Sequence, residues 1–346
     1  MNFCTLFNVN YLAKGLTLYR SLENLGINFH LFVYAFDDEV YNFLKKNPEK
    51  HLTVVSLREF ESEELLEIKR QRTATEYCWT CTPSTIYHAI TTFDLPDCTY
   101  LDADLYFFSD PKVLVDEMDD KSVLITSHRY TPEYDQNLVS GKYCVQFMTF
   151  KNTSGGMEVL KWWREACLDW CYATPEDGKF GDQKYLDDWP FRWPDVVHEL
   201  KHLGGGLAPW NIQQYAFEQE EHTLVGKEIK TNKHFEVIFY HFHKFEIFRN
   251  DAFWLGKYKL NKNVIQTIYA PYLKHLLAIA EEVRNISPNL NILGINGTSS
   301  KPSKGFISCL IVYWSHLKMA ARYILGFEFK QSYQGYNYYK KKQLVK

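Results

Sequence analysis

Strand-like and helix-like segments alternate through roughly the first sixty residues, and that alternation leaves the chain few architectures to choose from. Residues 3–9 form a short apolar run. Residues 11–25 then carry Leu12, Leu16, Leu18, Tyr19, Leu22 and Leu25 at helical spacing, and Gly26 follows as a stop signal. Residues 29–35 read as a second strand, 37–45 as a helix and 52–57 as a third strand centred on Val54 and Val55. Strands joined through helices pair in parallel, so the pattern predicts an α/β fold with a mainly parallel twisted sheet flanked by helices. Ligands of such sheets bind at the carboxyl ends of the strands. Residues 8–15, Asn-Val-Asn-Tyr-Leu-Ala-Lys-Gly, fit neither the dinucleotide fingerprint nor the Walker pattern. A diphosphate bound here would need a metal rather than a glycine-rich loop.

A candidate for that metal's ligands lies in residues 98–108, Cys-Thr-Tyr-Leu-Asp-Ala-Asp-Leu-Tyr-Phe-Phe. In an extended strand Asp102 and Asp104 project to one side while Leu101, Ala103 and Leu105 face the other. Adjacent carboxylates repel, and Mn²⁺ or Mg²⁺ between them turns the pair into a binding site for a substrate's phosphates. The competing reading is a strand-end turn with both carboxylates solvated. Downstream, residues 143–150 read as a core strand and 156–172 as a Trp-rich helix. A loop carrying Asp182 and Gln183 comes next, then Gly204-Gly-Gly206 as a flexible turn leading to Trp210 and Asn211. Residues 236–248 read as one strand that places His241 and His243 on the same side.

With 346 residues, 46% of them hydrophobic, the chain can bury a large core. A formal charge of −3 argues against a nucleic-acid partner, which would call for a basic excess. The eight cysteines lie mostly in apolar segments and read as reduced thiols of a cytoplasmic protein. Cys78 with Cys81, and Cys167 with Cys171, lack a second ligand set at zinc spacing. The opening residues show no secretory signal, so the sequons at Asn152 and Asn296 read as chance. Near the other end, residues 269–284 form an amphipathic helix, 285–305 a linker, and 306–329 an apolar-aromatic helix too interrupted to span a bilayer. That last helix, with the basic tail behind it, either docks on the main domain or lies peripherally on the inner face of a membrane.

The ordered set of an alternating N-terminal half, Tyr100-Leu-Asp-Ala-Asp104, a Gly181-Asp-Gln183 loop and a late Tyr240-His-Phe242 resembles the GT-A nucleotide-sugar glycosyltransferases, glycosyltransferase family 8 in particular. The resemblance covers roughly residues 1–250. It implies a catalytic domain over 1–250, with a nucleotide-binding half at 1–110 and an acceptor half at 111–250, and a helical extension over 251–346. It implies that Asp102, Asp104 and His241 ligate Mn²⁺ or Mg²⁺, with His243 as the alternative third ligand. It also implies that Asp182 and Gln183 face the donor sugar and acceptor, although Asp182 reads equally as a helix N-cap. Thr5 and Asn8 fall where the family binds the nucleoside. Trp210 and Asn211 echo a segment beside the site, and Thr82 falls where the family carries a basic residue toward the diphosphate. The implied donor is a nucleotide-diphosphate sugar, with a UDP-sugar expected, and the implied acceptor is a glycan or a lipid-linked glycan in surface polysaccharide or glycolipid assembly.

The chain also departs from the family pattern. Thr82, Ser84 and Thr85 replace the basic residue, Lys244 and Phe245 follow the histidine in place of a Gly-Lys-Pro-Trp pattern, and Cys144-Val-Gln146 replaces an Asn-x-Gly strand. These changes bear on the sugar and on the stereochemical outcome, and leave the metal set whole. A catalytically silent carbohydrate- or nucleotide-sugar-binding protein on the same fold is the alternative. A sugar-phosphate nucleotidyltransferase is a further one, for which the glycine-rich, arginine-containing N-terminal loop is missing.

Overall fold

The computed structural model describes residues 1–221, 223–248, 252–294 and 338–340. The expected N-terminal alternation is there: β1 Asn2–Phe7, α1 Leu12–Asn24, β2 His30–Ala35, α2 Asp38–Lys46 and β3 Leu52–Ser56. Local chemistry sets the boundaries. Asp37 caps α2 by accepting from Val40 N at 2.8 Å, and Gly26 ends the turn after α1 at φ +65°, a backbone angle that costs glycine little.

Helix α3 (Ala74–Thr92) leads into β4 (Asp97–Leu101), and β5 (Leu105–Phe107) follows at once. Beyond them come β6 (Val123–Ser127), β7 (Tyr143–Lys151), α4 (Ser154–Asp169) and β8 (Val197–Glu199). The main sheet has seven strands in the order β3-β2-β1-β4-β7-β6-β8. Neighbours pair in parallel except where β7 meets β4 and β6, so β7 alone runs against the rest. The result is the predicted mainly parallel sheet with one reversed strand, fifth of the seven.

Side chains alternate along β1, with Phe3 and Phe7 to one face, Cys4 and Leu6 to the other. The first face packs on α1 and on helix α5 (Ala270–Ile286), whose Leu273, Leu276, Ile279 and Val283 share a core with Leu12, Leu16 and Leu22. The second face is covered by α3 and α4. Helix α1 is therefore enclosed on nearly every side, and even Lys14, Thr17 and Ser21 are buried. Small strands β9 (Tyr215–Glu220), β10 (Thr223–Glu228) and β11 (His234–Glu236) form an antiparallel sheet that leads the chain to β12 (Phe239–His241).

Two sequence expectations need correction. Residues 236–248 are not one strand: β12 ends at His241, and pairing resumes only at Glu246 after a bend in which Lys244 takes φ +55°. The continuous apolar run hid that break. The glycines at 204–206 are not a flexible turn either, because all three are buried. A β-carbon on Gly204 would collide with the Glu236 carbonyl oxygen, so glycine serves close packing here. The helix expected over 306–329 and its basic tail lie outside the described residues.

Candidate active site

Asp102 and Asp104 stand where β4 leaves the main sheet. Leu105 N donates to Asp102 O at 3.2 Å, so the motif is a tight turn and not the extended strand expected. The carboxylates are not simply solvated, however, since the Asp102 and Asp104 side chains keep only 29% and 12% of their exposure. The turn delivers the chain into β5, which pairs antiparallel with β12 and sets His241 opposite Leu105. Phe242 N donates to Asp104 O at 3.0 Å, which stitches the two segments together beside the site.

This ribbon brings together residues more than a hundred positions apart. His241 Nε2 stands 3.0 Å from Asp104 Oδ1 and 3.7 Å from Asp102 Oδ2. One ligand atom from each of the three residues lies within 4.8 Å of the others, and among the described residues this is the only such metal-ligand grouping. His243 does not join it. The His243 ring is edge-on to His241 at 5.6 Å, and burial, then the His241 charge, lowers its pKa to about 3.

Gln146 on β7 orients the histidine. Its Oε1 is 2.8 Å from His241 Nδ1, which makes Nδ1 the protonated nitrogen and aims the Nε2 lone pair at two acceptor-only carboxylates. Three acceptors converging on one point call for a cation. A proton can serve: although burial opposes it, the Asp104 charge raises the His241 pKa well above its ordinary value. The donor set also suits Mn²⁺ or Mg²⁺, with two hard carboxylate oxygens and an imidazole. Burial would raise the Asp104 pKa, but the His241 charge and hydrogen bond, with help from Lys14, hold it well below the usual carboxylate range. Asp102 moves the other way, to about 6, through burial and the neighbouring Asp104 charge, which outweigh the opposing charge of His241. Sequence reasoning did not single out Gln146 as a partner of His241, though a lone amide in the apolar run of β7 was a signal. Gln146→Leu is expected to weaken Mn²⁺ binding about 10- to 100-fold, as loss of a ligand-orienting partner does. Unchanged affinity by titration calorimetry would remove His241 from the metal site.

Asp182 reaches the same crevice from the loop after α4. The Thr82 hydroxyl on α3 lies against its carboxyl group. Its backbone carbonyl accepts from Trp163 Nε1 at 2.8 Å. Burial, then the Asp102 charge, raises its pKa to about 7. It is not a helix N-cap: the short helical turn that follows begins after Gln183. Gln183 instead donates to Ser140 O at 2.7 Å and anchors the loop.

The remaining candidates are placed less directly. Trp210 donates to His128 O at 2.9 Å and packs edge-to-face with the His241 and His243 rings. Asn211 is wholly buried, and both ends of its amide are committed to the backbone, to Ala208 N, His128 O and Gly206 O. It therefore shapes the wall behind His241. Asn8, at the exit of β1, accepts from Asn10 N at 3.2 Å. Thr5 is wholly buried within β1, on the face shared with Phe3 and Phe7, and its hydroxyl has no partner among the described residues. Among those residues, no helix is long and apolar enough to cross a membrane.

Comparison with known proteins extends this picture. No protein-family model matches the chain. The uncharacterized protein YfnD of Bacillus subtilis (strain 168) is 31% identical over 299 residues, spanning 83% of this chain and 92% of YfnD. The chain belongs to the YfnD family. YfnF of the same organism is 28% identical over 298 residues, which span 84% of this chain and 96% of YfnF. Among solved structures, the galactosyltransferase LgtC in complex with donor and acceptor sugar analogs superposes with a TM-score of 0.51. That match has 12% identity and covers 82% of this chain and 99% of LgtC. The YfnD-family chain thus has the GT-A glycosyltransferase fold that the sequence resemblance implied.

Proposed function

We propose that the chain is a metal-dependent glycosyltransferase that moves a sugar from a nucleotide-diphosphate sugar, a UDP-sugar by expectation, to a glycan or lipid-linked acceptor, in surface polysaccharide or glycolipid assembly. The observation that carries this reading is the convergence of three acceptors, from Asp102, Asp104 and the Nε2 lone pair of His241, in the strand-end crevice of a GT-A fold. Those three residues would hold Mn²⁺ or Mg²⁺. When bound, such a cation supplies Lewis-acid charge to a departing diphosphate. Asp182, beside Thr82, faces the reacting sugar and, near pH 7, can hold or release a proton there. Trp210 and Asn211 form the rigid wall that keeps His241 aimed. Peripheral membrane contact, through residues outside those described, would suit a lipid-linked acceptor.

A thermal-shift panel of UDP-, GDP-, TDP- and CMP-sugars, each with and without Mn²⁺, tests the reading. A cognate donor at about 100 times its Kd adds roughly 2.7 kcal/mol, a shift of several degrees. The expected result is a shift with one nucleotide class that requires the metal. No shift with any donor would favour a silent binding scaffold.

A further inference from the structure

Lys14 is a buried cation that the metal set leaves unused. It lies in the first turn of α1, just past the exit of β1, and is only 6% exposed. Its ammonium donates to Phe245 O at 3.2 Å and stands 4.3 Å from the centroid of the Tyr11 ring. A single carbonyl satisfies one of its three N–H donors. Among the described residues, no carboxylate comes within ion-pair distance of it. A buried ammonium without a partnered anion is costly, because it has lost its hydration and gained no counter-charge. Burial accordingly lowers its pKa, opposed by the negative charge of Asp104 and then of Glu246.

Its position gives that cost a purpose. Lys14 sits in the field of Asp104, and its carbonyl partner Phe245 belongs to the segment that follows His241. It therefore touches the stretch that follows His241 and feels the charge of Asp104. Asp102, Asp104 and Asp182 surround the crevice with carboxylates, and one divalent cation offsets only part of their charge once a diphosphate is added. We propose that Lys14 is a diphosphate-positioning residue, whose free N–H donors engage the phosphate oxygens of the nucleotide-sugar donor beside the metal. The inference rests on the function proposed above.

The charge gives the test a sign. A fixed cation near Asp104 disfavours a bare metal ion and favours the metal–diphosphate complex. Lys14→Met keeps most of the length of the unbranched side chain and removes the charge. By titration calorimetry, Mn²⁺ or Mg²⁺ alone is expected to bind as tightly as before or tighter, while Mg²⁺–pyrophosphate binds at least tenfold more weakly. Lys14→Arg is expected to recover part of that loss. Lys14→Gln provides the same comparison should the Met variant fail to fold. A role confined to packing would move metal and pyrophosphate affinities together, or move neither, and either pattern overturns the inference. If the wild-type protein binds neither Mg²⁺–pyrophosphate nor any nucleoside diphosphate, the functional reading falls and this inference falls with it. Wild-type binding that Lys14→Met leaves unchanged overturns the lysine alone.

Discussion

Asp104→Asn is expected to reduce metal-dependent transfer from the cognate nucleotide sugar by on the order of a thousandfold or more, with the fold intact. The substitution keeps the shape of the side chain and removes one charged oxygen donor. The stitch between Phe242 N and Asp104 O uses the backbone carbonyl, so the β5–β12 ribbon does not depend on the carboxylate. The loss extends beyond one ligand. Asp104 is the nearer of the two carboxylates to His241, at 3.0 Å against 3.7 Å, and its charge is the leading influence that raises the His241 pKa against burial. Without it, the site loses one ligand and His241 Nε2 loses its nearer carboxylate partner. Mn²⁺ binding followed by electron paramagnetic resonance separates this from a defect in chemistry, because metal affinity and turnover should fall together. Full turnover by the variant would sink the metal assignment.

The first sixty or so residues were readable because period and punctuation agree there. An apolar run marks β1, a helical stripe marks α1, and a glycine marks the end of that helix. The aspartate pair was readable as a close pair of carboxylates and misread in shape. Two aspartates one residue apart suggest a strand face, whereas a backbone hydrogen bond from Leu105 to Asp102 folds them into a turn. Both arrangements bring the carboxylates together, so the expected grouping of the pair did not depend on the local conformation. His241 is different. Its approach to Asp104 depends on pairing between strands about 135 residues apart, which no local pattern reports, and only the family resemblance pointed to it. Residues 236–248 looked continuous because Phe242, Phe245 and Ile247 remain apolar through the bend. Lys14 left a fainter trace. It lies one helical turn before Leu18, in a helix whose neighbouring positions are nearly all apolar, and a lone lysine at a core position is a question the sequence could have raised. Periodicity alone could not reveal that α5 closes over α1 and makes the outer face of that helix interior.

The largest stability effect is expected at Trp163, and it reaches the site. This ring is wholly buried, stacked on Phe150 at 6.1 Å and edge-on to Trp189 at 5.6 Å. Trp163→Ala leaves a cavity the size of an indole and should cost about 3–5 kcal/mol, lowering Tm by roughly 10 °C. Chemical denaturation with the slope held constant checks the figure. Trp163→Phe separates packing from positioning. It retains most of the buried volume and, with part of the indole, loses the N–H that Nε1 donates to the Asp182 carbonyl oxygen at 2.8 Å. Its stability cost should be about 1–3 kcal/mol, that of one buried acceptor left without its donor. The Asp182 loop, however, would lose a tether next to its carboxyl group. Transfer should therefore fall further in Trp163→Phe than its modest destabilisation explains, with metal affinity unchanged, since Asp102, Asp104 and His241 are held by other strands. Equal losses of metal binding and transfer would mean that the Asp182 loop and the metal ligands move as one body, and that Asp182 has no separate part in the reaction.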